Sequence, residues 1–141
     1  MLLGADTGFP STGSGHRFVS YANQHPRALA IWQELIDGLH TLVVSTLTIN
    51  EILVYFYQRG QTDKGQGWVA LMVETDNIEV APVSVEIAAR SARYRHGLGL
   101  PTVDSVILAT FLERGCERML STDNDFRIVD EQKVLPVEFL V

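Results

Sequence analysis

The chain has 141 residues, of which 46% are hydrophobic and 20% charged, the size and balance of one compact domain spanning residues 1–141. Its single cysteine excludes an internal disulfide framework, and its net charge of −6 argues against broad non-specific adhesion to nucleic acid, which requires a basic surface. With no basic leader and no apolar run of membrane-spanning length, we expect a cytoplasmic protein without a membrane segment.

Short apolar segments alternate with longer amphipathic ones, a rhythm typical of a parallel α/β sheet. In chain order, the pattern predicts a strand at 1–5, a Gly- and Pro-rich loop at 6–16, a helix at 27–38, a strand at 41–45, helices at 46–60 and 64–76, a strand at 78–83, helices at 84–97 and 102–115, and strands at 118–123 and 134–141. Ser45 or Thr46 and Ser84 are the expected helix caps, and Pro136 indicates that the last strand lies at a sheet edge.

Four acidic residues follow predicted strands or lie near the start of predicted helices. Asp6 follows the first strand and Asp123 the fourth, and the carboxyl ends of parallel strands form the edge where ligands bind. Glu51 and Asp104 lie in the first turns of helices at the same edge, so we expect all four carboxyl groups to converge there. Asp125 is expected to point away or to support the other acids.

Each acid also has a simpler explanation. Asp104 alone could be a helix cap, and Asp123 with Asp125 could form an Asx-turn. Glu51 is harder to explain in this way, because no basic residue lies three or four positions from it. Four acids without local partners favour a shared cation, and oxygen-only ligands favour Mg²⁺ or Mn²⁺ over zinc. Two such ions could orient a water for in-line attack on a phosphodiester.

The segments Asp6-Thr7, "STLTINEI", "LPTVDSVILAT" and "STDNDF" together resemble the PIN domain, particularly its small single-domain members, which include VapC-type toxins. The resemblance implies a three-layer α/β/α fold with a parallel sheet of about five strands, and a metal-dependent ribonuclease. It implies that Asp6, Glu51, Asp104 and Asp123 are the catalytic metal ligands, with Thr7 and Ser121 as nearby hydroxyl groups. An antitoxin partner is a further expectation. Residues 8–26 depart from the family pattern, which usually continues into an apolar helix.

Arginines precede Asp104 and could contact RNA. Arg90, Arg93 and Arg95 lie in the helix and turn before it, and the guanidinium group suits phosphate. A solvated helix face, with Arg90 paired to Glu86, is an equally good explanation. The apolar segments "TINEILVYFYQRG" and "GWVALMV" carry more apolar side chains than one domain readily covers, so we expect a homodimer.

Two other functions fit parts of the pattern. A magnesium-dependent phosphatase or phosphotransferase could use Asp6 as a nucleophile, but Gly8 stands where such an enzyme usually has a second acid. A catalytically inactive RNA-binding or dimerising module would leave the four acids without a use.

Overall fold

The structure is a computed structural model that describes residues 2–5, 34, 37–121 and 124–139. Asp6, Thr7, Asp123 and the predicted loop at 6–16 lie outside the described residues, as does most of the predicted helix at 27–38. The described elements, in chain order, are β1 (Leu2–Ala5), β2 (Leu42–Ser45), α1 (Thr46–Tyr57), α2 (Thr62–Glu74), β3 (Ile78–Ala81), α3 (Val85–Leu98), α4 (Thr102–Glu113), β4 (Arg118–Ser121), a 3₁₀ helix (Asn124–Phe126), α5 (Arg127–Glu131) and β5 (Val137–Phe139).

Both predicted serine caps are confirmed. The Ser45 hydroxyl accepts a hydrogen bond from the Leu47 backbone N–H at 3.2 Å, and Ser84 accepts one from the Ile87 N–H at 3.1 Å. Each satisfies a backbone donor that the first turn of a helix leaves without a partner. The caps therefore fix where α1 and α3 begin.

The five strands form one sheet in the order β3-β2-β1-β4-β5. β2 pairs in parallel with β3, and β4 with β5, whereas β1 is antiparallel to both of its neighbours. Four strands therefore run in one direction, and we call the side of the sheet where they end the carboxyl edge. The predicted α/β class with about five strands is confirmed, and β5 lies at the sheet edge as Pro136 indicates.

The direction of β1 differs from the prediction of a fully parallel sheet. Leu2 pairs with Ser121 at the end of β4, and Ala5 pairs with Arg118 at its beginning, so the chain leaves β1 at the side opposite the carboxyl edge. The four-residue apolar pattern of β1 does not encode direction, because an extended segment can pair either way.

Helices cover both faces of the sheet. Val44 of β2 packs with Ile52, Phe56 and Met72 of α1 and α2 on one face. Val43, whose side chain points the other way, belongs to a cluster on the opposite face that includes the α4 residues Ile107, Leu108 and Phe111. The predicted three-layer arrangement is thus present among the described elements. No helix in these described ranges has the length and apolar character of a membrane span.

An ion pair shows the direction in which α4 runs relative to the sheet. Arg114, directly after α4, lies 2.7 Å from the Glu79 carboxylate, near the beginning of β3. The end of α4 is therefore at the side where the parallel strands begin. Because a 12-residue helix is roughly 18 Å long, the start of α4, with Asp104, lies toward the carboxyl edge.

Gly65 of α2 permits close packing of this helix on α1. A Cβ atom at residue 65 would lie 2.9 Å from the Phe56 Cβ, whereas one at Gly67 would meet nothing within 4 Å. We expect Gly65→Ala to lower the free energy of unfolding by about 1–3 kcal/mol through overpacking. Gly67→Ala should raise it by about 0.5–1 kcal/mol through higher helix propensity. Urea denaturation measures both, and a Gly65→Ala variant as stable as the wild type would contradict this packing.

Candidate functional site

Glu51 and Asp104 are the two predicted carboxylates within the described residues, and their helices begin at the carboxyl edge. α1 starts directly after β2, which puts Glu51 in its second turn. Asp104 lies in the first turn of α4, whose start is directed to the same edge by the Arg114–Glu79 ion pair. A helix N-terminus carries a partial positive charge that acts within the first turn, so the position of Asp104 favours an anion.

Apolar residues one turn away from Glu51 and from Asp104 pack in the same cluster. Leu47, one turn before Glu51, packs against the cluster that contains Ile107 and Leu108. Those two residues lie one turn after Asp104 on the same face of α4. Leu47 of α1 and the α4 residues Ile107 and Leu108 therefore share one apolar cluster.

The two carboxylates differ in their exposure to solvent. Glu51 is exposed and has no ion-pair partner among the described residues, while Asp104 is half-buried. An anion without a neighbouring cation at the edge of an apolar layer is a suitable ligand for a cation from solution.

The residues around the end of β4 are partly described. Ser121, the last residue of β4, is buried, and Asp125 in the 3₁₀ helix is exposed. Asp123 lies between them, outside the described residues. Within the described part of the chain, no three His, Cys, Asp or Glu side chains come close enough together to hold a metal ion. Two of the four predicted ligands, Asp6 and Asp123, are not in that part.

Arg90 forms an ion pair between two helices of the fold. The partner predicted from the sequence, Glu86, is wrong. Its guanidinium donates to the Glu113 carboxylate at 3.0 Å and so links α3 to the end of α4, instead of pairing with Glu86 on its own helix. A hydrogen bond with Tyr94, together with the contact to Glu113, raises the pKa of Arg90. Arg93 and Arg95 are exposed, and neither has an ion-pair partner in the described ranges.

A buried hydroxyl group that the sequence pattern does not single out lies one turn before Glu51. Thr48 is fully buried, and its Oγ1 is the one buried side-chain polar atom in the described part without a hydrogen-bond partner. Leaving a buried donor unsatisfied costs about 1–3 kcal/mol. In the sequence, Thr48 is a hydroxyl residue within an apolar helical segment. Threonine is common in such segments, so the sequence does not single it out.

Comparison with known proteins identifies the fold. The model of the PIN domain family matches residues 17–132, a range that includes Glu51, Asp104 and Asp123 but not Asp6 or Thr7. A search of curated proteins found no match.

Two solved structures have a similar fold. One is a toxin–antitoxin complex from Klebsiella pneumoniae, with 23% identity, a TM-score of 0.54, and coverage of 70% of this chain and 73% of that one. The other is VapBC2 from Rickettsia felis bound to a DNA fragment from their promoter, with 15% identity, a TM-score of 0.64, and coverage of 88% and 93%. At these identities the likeness establishes the fold.

Proposed function

Because this chain belongs to the PIN domain family, we propose that it is a metal-dependent ribonuclease that hydrolyses RNA phosphodiester bonds by a two-metal mechanism. Family membership indicates a nuclease, and PIN domains generally depend on divalent metal ions. The observation that carries the proposal is the position of Glu51 and Asp104, on helices that begin at one sheet edge and pack against one apolar cluster.

The donor set fits Mg²⁺ or Mn²⁺, because carboxylate oxygens are the ligands these ions prefer. Glu51, Asp104 and Asp123 would hold the metal, with Asp6 as a fourth ligand on the strength of the Asp-Thr motif alone. Thr7, Ser121 and Asp125 would hydrogen-bond to these ligands and orient them. When bound, the ions would lower the pKa of a water and neutralise the charge that develops on the phosphate.

Arg93 and Arg95 are the proposed RNA contacts. Both are exposed on α3, which leads through residues 99–101 to the first turn of α4 and Asp104. Their guanidinium groups could bind phosphates of an RNA strand whose scissile bond lies at the acids. Arg90 was an equal candidate in the sequence, but its ion pair with Glu113 favours a structural role.

We further propose that the protein acts in the cytoplasm as the toxin of a toxin–antitoxin pair and forms a homodimer. Both structural neighbours are toxin–antitoxin proteins, which supports an antitoxin partner. Large apolar side chains are exposed on the two packed helices α1 and α2, namely Val54, Tyr57, Leu71 and Val73. A second copy of the chain would cover such a surface.

The substitution Asp104→Asn tests the metal site. It removes a ligand charge, so we expect loss of RNA cleavage and of most of the Mg²⁺-induced rise in melting temperature. Without metal, the variant should be as stable as the wild type or more stable, because carboxylate repulsion is relieved. Asp63→Asn is the matched control, since Asp63 lies in the first turn of α2. Thermal melts with Mg²⁺ and with chelator, beside an RNA cleavage assay, provide the measurements.

An equal magnesium response in wild type, Asp104→Asn and Asp63→Asn would show that Asp104 is not a metal ligand. Asp6→Asn in the same assay tests the fourth ligand, and we expect it to weaken the response as well. An unchanged response in that variant would remove Asp6 from the site.

Replacing Arg93 and Arg95 with glutamine should weaken the binding of single-stranded RNA. Each lost phosphate contact lowers the salt dependence of binding, so the slope of log K against log salt should fall by about 1.4 for the pair. Arg118→Gln is the control, because Arg118 begins β4 at the opposite side of the sheet. Fluorescence anisotropy in chelator measures both quantities, and equal affinity in all three proteins would exclude these contacts.

Light scattering tests the homodimer. We expect a species of about twice 15.7 kDa, and Val73→Glu should shift it toward monomer because Val73 is 62% exposed on α2. Val85→Glu is the matched control, since Val85 is 81% exposed at the start of α3, on the other face of the sheet. A monomeric wild type at high micromolar concentration would contradict this proposal.

A further inference from the structure

Thr48 differs from the other buried hydroxyl residues of the helices. Ser91, Ser105 and Thr110 each donate to a backbone carbonyl in the preceding turn, at 2.7, 2.7 and 2.8 Å. This is the usual way in which a helix satisfies a buried hydroxyl group. Thr48 makes no such bond, although it is fully buried, and has no other hydrogen-bond partner among the described residues.

The position of Thr48 in α1 suggests what its hydroxyl group could reach. Thr48 lies in the first turn, just after the end of β2, on the buried stripe that continues with Ile52 and Phe56. Glu51 follows three residues later, at about 60° around the helix axis, and so stands at the border of the same stripe. Side chains three residues apart on a helix are neighbours.

We propose that Thr48 is a positioning residue for Glu51: its hydroxyl donates to the Glu51 carboxylate when that carboxylate turns to hold the metal. The proposal rests on the proposed metal-dependent function. A carboxylate that binds a metal through one oxygen needs a donor for its remaining lone pairs, and such supporting hydrogen bonds orient the ligand. The hydroxyl group is thus kept without a partner until the metal draws the carboxylate inward.

A purely structural role predicts a different behaviour. If Thr48 served only to fill space, its methyl group and Cβ would carry the function, and Thr48→Val would preserve both. The variant would then have the wild-type Mg²⁺ requirement and the wild-type rate of RNA cleavage. The hydroxyl group is therefore the feature to remove and restore.

The test compares wild type, Thr48→Val, Thr48→Ser and Thr110→Val by thermal melts in chelator and across a Mg²⁺ titration, with RNA cleavage measured in parallel. In chelator, Thr48→Val should melt at or above the wild-type temperature, because it loses an unsatisfied donor. It should require about 10- to 100-fold more Mg²⁺ for half of the melting-temperature shift. Thr48→Ser should restore the wild-type requirement. Thr110→Val, which loses a satisfied hydrogen bond, should melt lower at an unchanged Mg²⁺ requirement.

Two results would overturn the inference about Thr48 and leave the proposed function standing. One is a wild-type Mg²⁺ requirement in Thr48→Val while Asp104→Asn loses its response. The other is a requirement in Thr48→Ser as high as that of Thr48→Val, which would show that restoring the hydroxyl group does not restore metal binding. A wild type with no Mg²⁺ response would overturn the proposed function and this inference together.

Discussion

The Glu51 carboxylate, which lies near an apolar cluster and has no ion-pair partner among the described residues, is the constraint on which our interpretation of the site depends. Glu51 follows Leu47 by one turn in α1, and Asp104 precedes Ile107 and Leu108 by one turn in α4; these three apolar residues share one cluster. Carboxylates that share one site repel each other unless a cation or hydrogen-bond donors compensate their charge. The proposed metal and the proposed supporting hydroxyl groups both follow from that need for compensation.

The scaffold provides the rigidity that such a site requires. α1 is fixed at its start by the Ser45 cap and along its length by the packing of Ile52 and Phe56, and α4 is held by the burial of Ile107, Leu108 and Phe111. The cores on the two faces of the sheet thus order the helices that carry the two acids. A metal placed between them would be held by elements that are already ordered by packing, which limits the entropic cost of binding.

The sequence predicts what depends on local chemistry and fails where distant contacts decide. The caps at Ser45 and Ser84, the helices that carry Glu51 and Asp104 and the edge position of β5 follow from residue type and spacing, and the structure contains them. The direction of β1 does not follow, because a short apolar strand pairs either way. The five-residue helix α5 is too short for a periodic pattern, and the partner of Arg90 is 23 positions away in sequence.

A crystal structure of the protein with Mn²⁺, with anomalous scattering recorded at the manganese edge, tests the central claim most directly. The account predicts a manganese peak at the carboxyl edge within coordination distance, about 2.0–2.3 Å, of oxygens from both Glu51 and Asp104. Asp123 should complete the site, and the Thr48 hydroxyl should lie within hydrogen-bond distance of the Glu51 carboxylate. A manganese ion bound elsewhere, with Glu51 and Asp104 facing away from each other, would contradict it.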